Sequence, residues 1–570
     1  MTLVPGESKS DAASYRGKRG SIVSRQHLEP DGDVASEEGG RSMRSTDRAM
    51  KYRKNRLLGA LSRWILFLIV FVATAFNLEA ACHVVTPAGS GAKTGADWNN
   101  ACAGFTGPCT SAGNYGSPAP APPNGMVRGD TYYVAGSATS YQRSTVFNVA
   151  DSGTSPITIK KATASDHCTD TGWNSSYGTL NAKWEGAEQP GGGLLGAFWS
   201  VCASDYWVFD GQTGDGTSNN PGEDGQYGFY FKDAGQMYGF ISTHPQNCNG
   251  GSTGSTNVTF RHFELDGVSG AGIDATYPKG YYYNNPGATA LFLDGGSSIM
   301  VDHAYTHDIA FMNELAADST TFDHVWMARN YSSALEHANG IDNLAVSGTV
   351  SNLTVRYSVF EDISGTGHIM CLGNGAPCPN WTIYGNVFFN TGAFAGSTGP
   401  NGEPHGTSKI TGDNNGSPPS NVTNMVFYNN TVDGLSGAGT GNAGIVIQYS
   451  GSTGNNIEDN LWFNTGSNIT SMPSSSFATH DYNSFLNSAI NFGLSPHEIQ
   501  TASGSPDPFM NDAAKNFHLI ADTAPGATLS SPYNVDPDGN IRSAYGVWDQ
   551  GAYEFTGEPN PPTNLQATPH

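Results

Sequence analysis

Three histidines, His337, His368 and His405, recur through the middle of the chain with Glu336, Asp342, Glu403 and Lys409 close by. Side chains of these types do proton chemistry near neutral pH once neighbours tune them. If stacking brings the histidines into one column, two reactions come within reach. Elimination beside a carboxylate needs a base, here Lys409 or a histidine. It also needs a neutraliser for that carboxylate, for which a second histidine, Arg329 or bound Ca2+ would serve. Hydrolysis of a glycosidic bond needs two carboxyl groups flanking it, and Glu336 with Asp342 or Glu403 are the clustered candidates. A second column, His303 and His324, each preceded by an aspartate (Asp302, Asp323), has the residue types of a metal site. Strand alternation argues against that use, because neighbours along a strand point to opposite faces. Asn, His and Asp also stack in turns for hydrogen bonding alone, so every one of these residues has a structural reading beside the chemical one.

What would align such residues is a repeat, and the chain has one. An eight-residue phrase returns as FRHFELDG from Phe260, VDHAYTHD from Val301, FDHVWMAR from Phe322 and VRYSVFED from Val355. It continues as IYGNVFFN from Ile383, FYNNTVDG from Phe427 and IEDNLWFN from Ile457, at spacings of 41, 21, 33, 28, 44 and 30 residues. The shortest spacing is one coil of a parallel β-helix, and the longer ones are a coil plus a loop. A single coil cannot bury its apolar face, so coils must stack. The expected fold is all-β, a right-handed single-stranded parallel β-helix, in which equivalent positions lie about 4.8 Å apart from coil to coil. A polymer lying along such a stack would meet one residue per coil, which makes polysaccharide the expected partner and carbohydrate chemistry the expected use of the histidine column.

Other stretches divide the chain. Residues 1–49 are polar and without periodicity, a disordered extension lying upstream of a better start at Met50. Residues 50–81 have a basic segment, the apolar run Trp64–Phe76 and small residues at Ala80–Ala81, which is the pattern of a cleaved signal peptide. Cys82 would suit lipidation, but Glu79 stands where an aliphatic residue is wanted. Residues 82–205 read as an N-terminal cap and first coils, 206–535 as the β-helix, 536–555 as a closing motif and 556–570 as a Pro-rich tail. Eight cysteines at or after position 82 predict disulfides, with Cys102/Cys109 and Cys371/Cys378 near enough to staple single loops.

The segment 536–555 carries Asp536, Asp538, Gly539 and Arg542, then Asp549, Gly551, Ala552 and Glu554. This pattern, Asp-x-Asp-Gly-x-x-Arg followed by Asp-x-Gly-Ala-x-Glu, resembles the closing motif of secreted bacterial β-helix proteins of pectate-lyase-like type with choice-of-anchor C-terminal regions. The resemblance implies the fold and a secreted or cell-surface address, not an activity. Arg542 is expected to satisfy acidic side chains over the last coil.

The charge balance narrows the partners. The chain is −23 overall, and after residue 81 it holds 14 basic against 41 acidic side chains. So few cations exclude nucleic acid as a partner, and the mature chain is expected to be a monomer without membrane contact. Calcium on Asp and backbone oxygens suits so acidic a body, but no loop has a dedicated calcium spacing. The expected function is therefore a polysaccharide lyase or glycoside hydrolase acting on an acidic glycan. The rival is a non-catalytic adhesion protein that holds glycan. An open groove at the histidine column favours the enzyme, and filled contacts there favour the rival.

Overall fold

Each position of the repeated phrase has its own place in the coil. A computed structural model describes residues 80–105, 109, 125–141, 145–187, 197–216, 226–235, 239–243, 254–267, 289–309, 311–330, 339–343, 349–363, 367–372, 375–391, 409–412, 420–435, 444–446, 451–465, 477–490 and 492–557. The first position of the phrase is one inward column, Phe260, Val301, Phe322, Val355, Ile383, Phe427 and Ile457. These residues are paired in register by successive parallel ladders and are at most 2% exposed. The sixth position is a second inward column, from Leu265 through Met327, Phe360 and Phe388 to Trp462. Fully burying a side chain of this kind contributes about 1.5–3 kcal/mol, and no single coil could achieve it.

The ladders build three sheets. Sheet 1 runs from Cys82–Val85 through Trp207–Asp210 and Thr354–Arg356 to Thr479–Asp481. Sheet 2 runs from Ala182–Glu185 through Phe263–Asp266 and Val359–Glu361 to Ile499–Gln500. Sheet 3 runs from Thr145–Phe147 through Gly239–Ser242 and Ile341–Asp342 to Gly412 and its partner Val446. The result is the expected all-β, right-handed parallel β-helix, the hand that twisted strands impose on parallel crossovers.

The third position turns the corner from sheet 1 to sheet 2 with a single left-handed residue. His262, His303, His324, Tyr357, Asn429 and Asp459 have φ between +46° and +58°, and Gly385 has +66°. Such angles are uncommon for residues other than glycine. The fourth position faces inward behind them and becomes an asparagine ladder. The backbone N–H of Ser358, Asn386, Asn430 and Asn460 each donates to the Oδ1 of the next coil's Asn386, Asn430, Asn460 or Asn483, at 2.8–3.1 Å. The ladder satisfies corner amides that no strand can reach, which is why buried asparagine is tolerated there.

After Gln500 the chain doubles back as a strap along the outside of the helix. Phe509 packs on Phe463 and Phe517 on Phe389, while Lys515 pairs with Glu361 at 2.7 Å. Gly551 donates to the Asp459 carbonyl and Ala552 to the Thr431 hydroxyl, both at 2.8 Å. The segment 536–555 therefore lies along the flank of sheet 2 and is not stacked on the last coil. Within it Arg542 is buried and donates to the carbonyls of Asp549, Gly551 and Ala552 at 2.5–3.1 Å. The Glu554 carboxylate stands back at 3.9 Å, so the hydrogen bonds of Nη1 and Nη2 go to backbone oxygens and not to the expected acidic side chains, while Nε has no hydrogen bond among the described residues.

Disulfides join Cys82 to Cys168, Cys102 to Cys109 and Cys371 to Cys378, and Cys202 is also disulfide-bonded. Both expected loop staples form. Cys82, committed to Cys168, has no thiol left for a lipid. No helix among the described residues is long and apolar enough to cross a membrane. The signal-peptide reading of residues 50–81 falls almost wholly outside the described residues, as does the extension 1–49.

Candidate functional site

The left-handed corner decides where the polar side chains of sheet 1 go. At the second position of the phrase Arg261, Asp302, Asp323, Arg356 and Tyr384 point outward in register. Because the third residue reverses the usual alternation, its side chain also points out, beside its predecessor. The argument from alternation against pairing Asp302 with His303 is therefore overturned. His303 Nδ1 lies 2.5 Å from Asp302 Oδ1, and His324 Nδ1 lies 2.8 Å from Asp323 Oδ1.

The imidazoles stack along the corner. Ring centroids are 5.2 Å apart from His262 to His303, 4.7 Å from His303 to His324, and 5.1 Å from His324 to Tyr357. Their hydrogen bonds differ. His324 faces Asp323 through Nδ1 and the Pro537 carbonyl through Nε2, at 3.2 Å. Both partners only accept, so both nitrogens carry protons. Burial opposes that charge, but Asp323 outweighs burial and raises the pKa of His324. His303 differs, since Asp302 holds its Nδ1–H while Nε2 has no hydrogen-bond partner among the described residues. Its side chain is 29% exposed. His303 thus presents an acceptor nitrogen to solvent, the arrangement of a carboxylate-oriented base.

Cations flank this dyad. Arg261 is held by Asp210 at 2.7 Å and is 41% exposed at its side chain. Arg356 Nε donates to Asp323 at 2.8 Å and its Nη1 to the Tyr384 hydroxyl at 3.3 Å. On one side the loop 212–216 closes against the corner, with the Gly214 carbonyl accepting from His262 Nδ1 at 2.9 Å. A Cβ at Gly216 would meet the His324 carbonyl at 2.1 Å, so only glycine allows this approach. On the other side stands Pro537 of the strap.

A second polar cluster occupies the outer face of sheet 2, at positions five, seven and eight of the same phrases. His307 Nδ1 is 2.7 Å from Asp308 and its Nε2 is 3.3 Å from Glu264. Arg329 grips Asp308 with two bonds of 3.1 and 2.8 Å and donates to the Tyr305 hydroxyl at 2.9 Å. Asp266 accepts from Tyr230 at 2.6 Å and pairs with Lys232 at 3.3 Å. Burial works against charge on His307, but Asp308 and Glu264 prevail and lift it to about 9. Burial likewise pushes Asp308 up, yet His307 and Arg329 hold it down at about 2. Glu264, Asp266 and His307 are 0% exposed, so this cage does not face a polymer.

Two groups, Asp302/His303/His324 and Glu264/Asp266/His307, have donor atoms close enough together to suggest a metal. Neither fits one well. The rings of His303 and His324 lie 17° from parallel, so their lone pairs run side by side, and His324 has none to give. Both nitrogens of His307 are bonded to carboxylates. Calcium, which takes six to eight oxygens, matches neither nitrogen-containing set.

Of the residues singled out at first, Asp342, His368 and Lys409 fall on successive coils of sheet 3. His368 is 0% exposed and packs edge-on against Phe360 and Phe388, at 5.7 and 5.2 Å. Asp342 is 2% exposed and accepts from Asn339 Nδ2 at 2.8 Å. Lys409 pairs with Gly367 in sheet 3, one residue out of step with His368. Arg329 belongs to the buried cage. His337, His405, Glu336 and Glu403 lie outside the described residues. Arg261, Arg356 and Tyr384 had not been singled out, although position two of the aligned phrases brings them together.

No protein-family model and no curated protein sequence matches the chain. Solved structures similar to it include pectate lyase Pel9A, with 12% identity and a TM-score of 0.41, covering 85% of this chain and 98% of that one. An alginate lyase from Paenibacillus sp. str. FPU-7 has 13% identity and a TM-score of 0.34, covering 67% and 94%. A GH136 lacto-N-biosidase from Eubacterium ramulus has 10% identity and a TM-score of 0.28, covering 74% and 68%. With scores this low, the fold rests on the strand ladders and not on the likeness.

Proposed function

We propose that the protein is an extracellular β-helix enzyme that cleaves an acidic polysaccharide by elimination at a uronate residue, with its site on the corner between sheets 1 and 2. The observation that carries this reading is the Asp302–His303 dyad, its Nε2 turned outward between two arginines. His303 Nε2 takes the proton α to the uronate carboxylate, while Arg356 or Arg261 neutralises that carboxylate. The electron pair forms the ring double bond as the glycosidic C–O bond breaks, and the leaving oxygen takes a proton from water. Disulfides support an oxidising, extracellular address.

A non-catalytic glycan-holding role is the second reading. It is favoured by the uncharged column Thr321, Thr354, Thr382, Val426, Asn456 and Thr479 on sheet 1, none of which is buried. The test is a panel of uronate-containing polysaccharides, with ultraviolet absorbance reporting unsaturated ends. His303→Gln is expected to lose at least about a hundredfold in rate with binding retained. Equal activity in His303→Gln, together with loss in a His337→Ala, His405→Ala variant, would move the site away from the corner to those histidines. Binding without product in every protein would establish the second reading.

A further inference from the structure

The strap meets the helix along two carboxyl groups that have no cation partner on the helix among the described residues. Asp459, at the left-handed corner, is 0% exposed. Its Oδ1 accepts from the Ala527 N–H of the strap at 2.6 Å, and its Oδ2 is buried with no hydrogen bond among the described residues. The charged groups facing it are Arg542 from the strap, Glu458 on its own strand and Asp481 on the next coil. Asp433 is 6% exposed on the outer face of sheet 2, in register with Phe389 and Phe463, the two rings on which the strap's Phe517 and Phe509 sit. The groups facing it are Asp507 and Asp512, both on the strap.

We propose that the strap, residues 505–555, is an acid-stable latch that docks firmly at low pH and loosens from the corner and from sheet 2 as the pH rises to alkaline. Neutral carboxyl groups suit this dry seam, whereas ionised ones place charge where water is excluded and, at Asp433, opposite two other acids. The shifts agree in direction. Burial foremost, with Glu458 and Asp481 adding to it, pushes Asp459 up to about 8 against the pull of Ala527 and Arg542. Burial, then Asp512 and Asp507, pushes Asp433 up to about 7.

For such groups the folded form binds the proton more tightly. Their contribution is therefore full below the unfolded value near 3.8, and it declines as the pH climbs through the folded values. His324, which donates to the Pro537 carbonyl of the strap with Asp323 and Asp302 beside it, acts in the same sense, because its raised pKa favours docking while it is protonated. The latch reaches the corner site, since the strap contributes Pro537 at His324, Val535 at the Tyr357 hydroxyl and Tyr533 between Tyr384 and Tyr428.

Hydrogen exchange on the full chain, corrected for intrinsic rates, tests this without reference to activity. Between about pH 5 and about pH 9, protection of peptides from 507–555 is expected to fall at least about tenfold more than that of coils 354–463. Asp459→Asn with Asp433→Asn, which keep shape and stay neutral, is expected to remove most of that difference, and each single variant part of it. Protection that changes equally in strap and coils, or an undiminished strap-specific fall in the double variant, overturns the latch. Either result leaves the reading of the Asp302–His303 dyad untouched.

Discussion

The two outer faces that meet at the left-handed corner are built from the same phrases and receive similar side chains, yet they end in opposite states. On sheet 1, Asp302, His303, Arg261 and Arg356 are partly open, and their charges are matched only within the row. On sheet 2, Glu264, Asp266, His307 and Asp308 are sealed, and each carboxylate has found a cation or an imidazolium. Residue type alone does not separate a site from a structural staple here. Exposure and the number of free lone pairs do.

The comparison breaks most visibly at the cage. His307→Leu leaves Glu264 and Asp308 buried without their shared proton donor and is expected to cost about 3–5 kcal/mol in chemical denaturation. A smaller effect is expected at the ladder behind the corner. Asn430→Ala strands the Asn386 amide and should cost about 1–3 kcal/mol, with both faces losing protection together because the corner serves both. The pH dependence sharpens the contrast further. Stability supplied by His307 is full below its unfolded value of 6.5 and is lost as the pH rises through about 9. The melting temperature should therefore fall across that interval in the wild type and fall less in His307→Leu. The smallest stability effect is expected on the open face, where His303→Gln should stay within about 0.5 kcal/mol of wild type while losing the activity proposed for it. A large destabilisation by His303→Gln would make sheet 1 a staple as well, and the contrast would disappear.

Aligning the phrases on their first apolar residue places Phe260 through Ile457 in the column they occupy, because an inward position must be apolar in every coil. The Cys102/Cys109 and Cys371/Cys378 pairs were legible from proximity alone. The Asp302–His303 pair was visible as a motif but was misjudged, since alternation holds within a strand and fails at a left-handed residue. No residue type announces that residue, because His, Tyr, Asn, Asp and Gly all serve at this corner. His368 was legible as a histidine on a strand, but its packing against Phe360 and Phe388 depends on two rings that the neighbouring sheet 2 turns inward.

By itself, then, the sequence determined the coil, its register and the chemistry available at each position, since burial acts on every repeat in the same local way. Only the tertiary structure decided which of those positions stay open. The strap that covers sheet 2 and stops at His324 comes from the far end of the chain, and its docking follows from long-range packing of Phe509, Phe517, Trp548 and Tyr553 that no repeat encodes.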